Sequence, residues 1–192
     1  MAQKIIIDTD PGIDDAMAIH MAFADPRLDV VGLTTVFGNV TGKQATRNAL
    51  CLAEMANHPA AVAGGAAIPL TREPQPPAEF VPGPEGFGTL PARRPARMAD
   101  TRNAARYFVE TCAEAPGEII ICAVGPLTNL AAALALDAAI TRTAARVVVM
   151  GGSAAWHGNV TACAEANIWN DPHAADAVFA ADWDVTLSLI HI

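Results

Sequence analysis

Residues 5–19 read IIIDTDPGIDDAMAI. An apolar run without alternation is typical of a strand that is buried on both faces, as in a parallel sheet. A Pro-Gly turn follows, and apolar residues then recur at helical spacing, which predicts a strand, a turn and a helix. Four aspartates crowd this junction, and like charges at short range raise one another's pKa. The stretch therefore predicts a divalent cation bound by oxygen ligands.

Strands and helices continue to alternate after this stretch. Residues 4–7, 28–36, 60–63, 118–124, 146–150 and 184–187 are predicted strands, and residues 14–24, 43–56, 101–115, 129–136 and 171–181 are predicted helices. In the first helix both apolar stripes, including Met17 and Met21, are expected to be buried. The alternation predicts an α/β fold, an open, mostly parallel sheet with helices on both faces.

We interpret residues 1–192 as a single domain. Residues 69–97 are rich in proline and glycine, which remove backbone donors and favour turns, so this segment is predicted to be a long loop within the domain. The final Asp171-Pro172 pair predicts a helix start, with Asp171 as the N-cap.

Composition excludes several classes of function. The chain carries 12 basic and 20 acidic residues, a net charge of -8, which argues against a nucleic acid partner. No apolar run approaches the roughly 20 residues that a membrane helix needs. We expect no secretory signal, because the N-terminal residues lack a basic and hydrophobic leader pattern. The four cysteines are scattered in apolar or alanine-rich contexts, which favours reduced thiols in a cytoplasmic protein.

Polar residues cluster where the predicted strands end. Ligands of parallel sheets bind beyond the carboxyl ends of the strands, so these clusters predict one shared site. Some of the aspartates would hold the cation, and another would stay free to accept a proton from water. Four short polar residues individually suit turns but together resemble a set that binds hydroxyl groups: Asn39, Asn159, Glu165 and Asn167.

These motifs together resemble the inosine-uridine-preferring nucleoside hydrolases, which cleave the N-glycosidic bond of ribonucleosides with the help of calcium. The resemblance rests on residues 8–16, 34–39, 124–129, 149–152, 158–160 and 165–172, which follow the family's order and spacing. It implies a Rossmann-like core, a purine or pyrimidine ribonucleoside as the small-molecule substrate, and a homo-oligomer in the full-length form.

The resemblance also implies a role for each site residue. Asp10 and Asp15 would bind Ca²⁺ through their carboxylates, and Val124 would bind it through its carbonyl oxygen. Asp14 would be the general base for a calcium-activated water that attacks the ribose C1′, a problem related to glycoside hydrolysis. Four residues would bind ribose hydroxyls: Asn39, Asn159, Glu165 and Asn167. Met150 would line the pocket, and Asp8 would support the metal ligands from behind.

The chain departs from the family pattern at two points. Pro82 stands where the family commonly has a histidine. Family members also continue further, with an aspartate that binds calcium and a histidine that helps to protonate the leaving base. We therefore expect a truncated N-terminal portion with little or no turnover alone, whose last residues from Ser188 differ from the native frame. His191 is not assigned to the missing histidine.

Two other functions stay open at this point. Ile7-Asp8-Thr9-Asp10 resembles the Asp-x-Asp motif of haloacid-dehalogenase-like phosphatases, in which Asp8 would be the nucleophile and magnesium the metal. A nucleoside- or ribose-binding remnant without catalysis is the third hypothesis.

Overall fold

The structure, a computed structural model, describes residues 2–77 and 82–190. In chain order the elements are β1 (Gln3–Thr9), α1 (Ile13–Ala24), β2 (Leu28–Thr35), α2 (Gly42–Met55), β3 (Ala61–Gly64), α3 (Ala104–Glu114), β4 (Ile119–Ala123), α4 (Thr128–Leu136), α5 (Ile140–Thr143), β5 (Arg146–Met150), α6 (Ala166–Asn170), α7 (Pro172–Ala180) and β6 (Val185–Ser188). The strands form one sheet in the order β3-β2-β1-β4-β5-β6, and each neighbouring pair is parallel. The predicted α/β fold is confirmed.

β1 is buried on both faces, as its unbroken apolar sequence predicts. Ile6 packs with Phe108 of α3 and Leu130 of α4 on one side of the sheet. Ile5 and Ile7 contribute to the cluster on the other side, which includes α1 and α2. Because successive side chains of a strand point to opposite faces, one short strand joins both halves of the core.

The sheet reverses its order beside β1. The chain builds outward from β1 through β2 to β3, returns through α3, and builds outward again from β4 to β6. Asp8 is in register with Thr34 of β2 on one side and with Ala123 of β4 on the other. The carboxyl end of β1 thus lies at the topological switch point, where ligands of such folds bind.

Three sequence interpretations differ from the structure. The helices α5 and α6 were not predicted, because four or five residues are too few to show helical periodicity. The expected burial of the second stripe of α1 is wrong: Met17 and Met21 are 72% and 77% exposed, whereas Ile19 is fully buried. Among the described residues, α1 packs on the sheet through one face only.

Residues 65–77 and 82–103, the described part of the connection from β3 to α3, contain neither helix nor strand. Gly83 and Gly86 adopt positive φ angles of 79° and 89°, which suit glycine. Residues 78–81 of the proline-rich segment lie outside the described residues, as does His191. A single domain over residues 1–192 with a loop at 69–97 stays a prediction.

No helix in the described part of the chain is both long and apolar enough to cross a membrane.

Candidate active site

Asp8 lies at the carboxyl end of β1, fully buried beneath the switch point. Its Oδ1 accepts hydrogen bonds from Thr34 Oγ1 at 2.6 Å and from Asn129 Nδ2 at 2.8 Å. Burial raises the pKa of the Asp8 carboxyl to about 7, although both hydrogen bonds oppose the rise. The Asp8 side chain therefore connects β1, β2 and α4 through hydrogen bonds and is not accessible to solvent.

Asp10 lies just beyond the end of β1 and is only 2% exposed. Its Oδ2 accepts a hydrogen bond of 2.5 Å from the backbone N–H of Asn39. Gly38 and Gly125 flank the carboxylate so closely that a Cβ on either residue would collide with it, and at Gly125 that Cβ would lie 2.7 Å from Asp10 Oδ1. Burial, and then the charge of Asp15, raise the pKa of Asp10 well above its usual range.

Asp15 is fixed in the first turn of α1. Its Oδ1 accepts a hydrogen bond of 2.6 Å from Thr9 Oγ1, and its Oδ2 accepts one of 3.1 Å from the Gly12 N–H. Asn39 Nδ2 donates a further bond of 3.1 Å to the same Oδ2. Burial raises the pKa of Asp15 as well, against the effect of the Thr9 bond. Asn39 thus contacts two carboxylates, a role that its predicted contact with ribose did not include.

The buried carboxylates are suited to binding a cation, because they can carry negative charge and because two of their oxygens accept no hydrogen bond from the described residues. Asp8 Oδ2 and Asp10 Oδ1 are buried without a hydrogen-bond partner in the described part of the chain. A buried acceptor in this state costs free energy that a positive ion would recover. Within residues 2–77 and 82–190, however, no group of three or more His, Cys, Asp or Glu side chains is arranged to hold a metal ion. A cation would rely on Asp10, Asp15 and backbone oxygen.

The opposite wall of the site is built by α6. Glu165 caps this helix and accepts hydrogen bonds from the backbone N–H groups of Asn167 at 3.0 Å and Gly152 at 2.8 Å. Asn167 Nδ2 donates to the carbonyl oxygens of Val124 at 2.9 Å and Met150 at 3.1 Å. Asn159 Oδ1 accepts a bond of 2.9 Å from the Ala166 N–H. These contacts fix each side chain before any ligand binds.

The two walls face each other across one cleft of about 540 Å³. Eight of the ten residues predicted for the site line it: Asp14, Asp15, Asn39, Val124, Met150, Asn159, Glu165 and Asn167. Asp8 and Asp10 lie below the cleft, and Pro82 lies at its edge. Asp14 is exposed, and its carboxylate forms no hydrogen bond with the residues that the structure describes.

Sequence reasoning missed several residues that support this site. Asn129 Nδ2 donates to Asp8 Oδ1 and, at 2.9 Å, to the Thr35 carbonyl, and its Oδ1 accepts a bond of 2.8 Å from the Ala66 N–H. Thr9 and Thr34 each donate to one of the aspartates. Asn129 follows a Gly-Pro turn at a strand end, and this position was the signal that could have identified it.

Known proteins resemble this chain over almost its whole length. A family model described as "Inosine-uridine preferring nucleoside hydrolase" matches residues 5–191. "Uridine nucleosidase 1" of Arabidopsis thaliana is 48% identical over 191 residues, which are 99% of this chain and 57% of that protein. The "Inosine-uridine preferring nucleoside hydrolase" of Crithidia fasciculata is 38% identical over 97% of this chain and 60% of its own length.

Solved structures agree with both fold and sequence. A plant nucleoside hydrolase matches with a TM-score of 0.95 and 42% identity, over 100% of this chain and 61% of that one. A purine-preferring ribonucleoside hydrolase from Gardnerella vaginalis matches with a TM-score of 0.94 and 33% identity, over 98% and 61%. The chain therefore spans about three fifths of the length of these relatives.

Proposed function

Because the chain belongs to the inosine-uridine preferring nucleoside hydrolase family, we propose that it supplies the metal- and ribose-binding part of an enzyme that hydrolyses ribonucleosides. The reaction would cleave the N-glycosidic bond to give a free base and ribose. The observation that carries the proposal is the single cleft that gathers eight of the predicted site residues. The names of the relatives include uridine, inosine and purine preferences, so uridine and inosine are the first substrates to test.

Calcium is the metal in this proposal, held by Asp10, Asp15 and the Val124 carbonyl oxygen. The support is the unpartnered, buried Oδ1 of Asp10 and the raised pKa values of Asp10 and Asp15, since a cation favours the ionised carboxylates. When bound, such an ion lowers the pKa of water and stabilises negative charge next to the substrate. Asp8 contributes from beneath, where it is fixed by Thr34 and Asn129.

Asp14 is the proposed general base. Its carboxylate is exposed at the cleft and hydrogen-bonds to none of the described residues, so both oxygens can accept a proton from an attacking water. Asp10 and Asp15 suit this role less, because Thr9, Gly12 and Asn39 already donate to their oxygens. Proton transfer of this kind contributes about 10²–10⁴-fold to the rate.

The ribose is proposed to lie against α6 and the residues before it. Glu165 and Asn167 are held by backbone groups, so they lose little freedom when they bind ribose hydroxyls, and Asn39, Asn159 and Met150 complete the contacts. The transition state of such a reaction resembles an oxocarbenium ion. Its positive charge would be stabilised by the carboxylates that line the cleft.

The phosphatase hypothesis is less well supported. A nucleophilic Asp8 would need an oxygen that substrate can reach, but Asp8 is fully buried and two side chains donate to its Oδ1. We expect no hydrolysis of p-nitrophenyl phosphate with magnesium. Hydrolysis at a rate that Asp8→Asn abolishes would restore this hypothesis.

The test of the proposal is release of reducing sugar from uridine and inosine by the whole protein, with calcium and with a chelator. We expect turnover that calcium supports. Asp14→Asn should lower kcat by about 10²–10⁴-fold without loss of folding, while Asp176→Asn, an exposed change on α7, should leave the rate unchanged. Absence of turnover with every common ribonucleoside would refute the proposal, and nucleoside binding without turnover would identify a binding remnant.

The proposal extends to a homo-oligomer in the full-length form and to a cytoplasmic location. All four cysteines are free thiols, as expected in a reducing compartment. Sedimentation of the whole protein and its fractionation from cells would test these two points.

A further inference from the structure

A second hollow, away from the cleft, is lined by an unusual concentration of positive charge. It has a volume of about 630 Å³ and lies between the start of α2 and residues 92–99. Five of the twelve lysine and arginine residues of the chain line it: Lys43, Arg47, Arg93, Arg94 and Arg97. Its lining contains no aspartate or glutamate, although acidic residues outnumber basic ones by 20 to 12 in the chain.

Most of this charge is not neutralised by carboxylates. Arg47 pairs with Glu85 at 2.7 Å, and Arg97 donates to the carbonyl oxygens of His58 and Ala60 at 2.8 and 2.7 Å. Lys43, Arg93 and Arg94 are exposed, and none of them forms an ion pair with a carboxylate in the described part of the chain. In contrast, most basic residues outside the hollow form an ion pair with a carboxylate. They are Lys4, Arg27, Arg102, Arg106 and Arg146.

The arrangement favours a compact anion of high charge. Like charges around one concave surface repel one another, and an anion in the hollow would relieve that repulsion. Guanidinium groups present planar pairs of donors that match phosphate oxygens, and lysine adds a point charge. The hollow also includes Thr41 and Lys43 at the start of the 14-residue helix α2, where the helix dipole favours negative charge.

From these observations we propose that the hollow binds a phosphate group. The group is either free phosphate or part of a phosphate monoester. A neighbouring hollow of about 380 Å³ shares Arg47, Ala92 and Arg93 as a common wall, and Leu52, Phe87 and Leu90 contribute apolar surface to it. An apolar organic group attached to the phosphate would find its contacts there.

This inference does not depend on the proposed hydrolase activity. The catalytic cleft is lined by the carboxylates of Asp14, Asp15 and Glu165, which repel a phosphate dianion. The basic hollow and the cleft have no lining residue in common. Failure of one assignment therefore leaves the other standing.

The experiment is calorimetric titration of the whole protein with inorganic phosphate and, separately, with phenyl phosphate. A chelator and low ionic strength are used, so that metal in the cleft cannot bind the anion and exposed charges are not screened. We expect saturable binding of inorganic phosphate. Phenyl phosphate binding about ten-fold tighter would identify a monoester as the ligand, and equal affinities would identify free phosphate.

Two matched triple variants decide where the anion binds. Lys43→Gln, Arg93→Gln and Arg94→Gln combined should weaken binding by about ten-fold or more for each cation removed. Arg27→Gln, Arg106→Gln and Arg142→Gln combined remove the same charge elsewhere and should leave binding within about two-fold. Should the first triple fail to fold by circular dichroism, single Arg93→Gln and Arg94→Gln variants replace it. No saturable binding, or equal binding by both sets, would overturn the proposal.

Discussion

At the scale of single residues, Asp10 depends on two neighbours that have no side chain. A Cβ at Gly125 would lie 2.7 Å from Asp10 Oδ1 and 2.8 Å from Val36 Cγ1, and neither atom can move freely in a buried site. Gly125→Ala should therefore displace the carboxylate, lower the free energy of unfolding by about 1–3 kcal/mol and abolish calcium-supported turnover by the whole protein. Urea unfolding and the sugar-release assay measure the two effects.

Gly64→Ala is the control for that substitution. Gly64 ends the neighbouring strand β3, and the nearest atom to its added Cβ is Thr46 Oγ1 at 3.3 Å. We expect a smaller loss of stability and retained turnover. A Gly125→Ala protein with normal turnover would show that Asp10 need not hold its position.

Asp8 should make the metal-free protein less stable as pH rises. Burial raises its pKa to about 7 in the folded state, whereas an aspartate in the unfolded chain titrates near 3.8. The folded state thus binds the extra proton between these values, so stability is full below about pH 4 and falls as pH rises toward about 7. The loss attributable to Asp8 is at most about 4 kcal/mol.

Asp8→Asn tests this dependence, because the amide keeps the acceptor for Thr34 and Asn129 but carries no charge. Urea unfolding in a chelator from pH 4 to pH 8 should show a flatter slope than in the parent protein. Asp176→Asn, which removes an exposed carboxylate, should leave the slope unchanged. Equal slopes in Asp8→Asn and the parent would refute the raised pKa.

At the scale of elements, one buried carboxylate joins two helices and a loop. Asp171 caps α7 by accepting from the Ala174 N–H at 3.1 Å, and it also accepts from Thr128 Oγ1 at 2.7 Å and the Leu70 N–H at 2.9 Å. Asp171→Ala would leave the Ala174 N–H and the Thr128 hydroxyl buried and unpaired, and it would also remove the acceptor of the part-buried Leu70 N–H. We expect a loss of about 3–5 kcal/mol in the free energy of unfolding.

Asn103→Ala is the control, because it measures the loss in the free energy of unfolding when a cap with a single hydrogen bond is removed. Asn103 caps α3 by accepting only from the Arg106 N–H at 2.9 Å, and it is exposed. Its replacement should cost about 1 kcal/mol. Equal unfolding free energies for the two variants would mean that the additional bonds of Asp171 contribute nothing.

The same elements show how far sequence alone could predict the fold. The strand β1 and the cap at Asp171 were predictable, because apolar runs, aspartate and proline act locally. The short helix α6 was not predictable, because five residues are too few to show helical periodicity and its N-cap, Glu165, is not one of the residue types that usually cap helices. The exposed Met17 and Met21 show that apolar spacing predicts a helix better than it predicts what covers that helix.

Sequence alone could predict which residues form the candidate site, but it could not predict the hydrogen bonds between them. Strand ends of a parallel sheet converge, so the carboxylates and the later amides could be expected at one edge. The contacts of Asn39 with two carboxylates, and of Asn129 with Asp8, depend on how three strands are placed side by side. Nothing in the local sequence distinguishes those contacts from contacts with a substrate.

At the scale of the whole molecule, the sheet supplies only part of the proposed calcium site. Within residues 2–77 and 82–190 the cation is offered the side chains of Asp10 and Asp15 and backbone oxygen, and no cluster of three or more metal-binding side chains. Calcium affinity rises with the number of charged ligands. We therefore expect this 192-residue chain to bind calcium with a dissociation constant on the order of 1 mM.

Thermal unfolding measures this affinity, since a ligand of the folded state stabilises it by mass action. At ten times the dissociation constant the gain is about 1.4 kcal/mol, which would raise the melting temperature of a chain of this size by about 3–5 °C. Asp10→Asn should abolish the rise, and magnesium, which requires stricter octahedral geometry, should produce a smaller one. Saturation of the effect at micromolar calcium would instead mean that this chain completes the site with ligands other than Asp10, Asp15 and Val124.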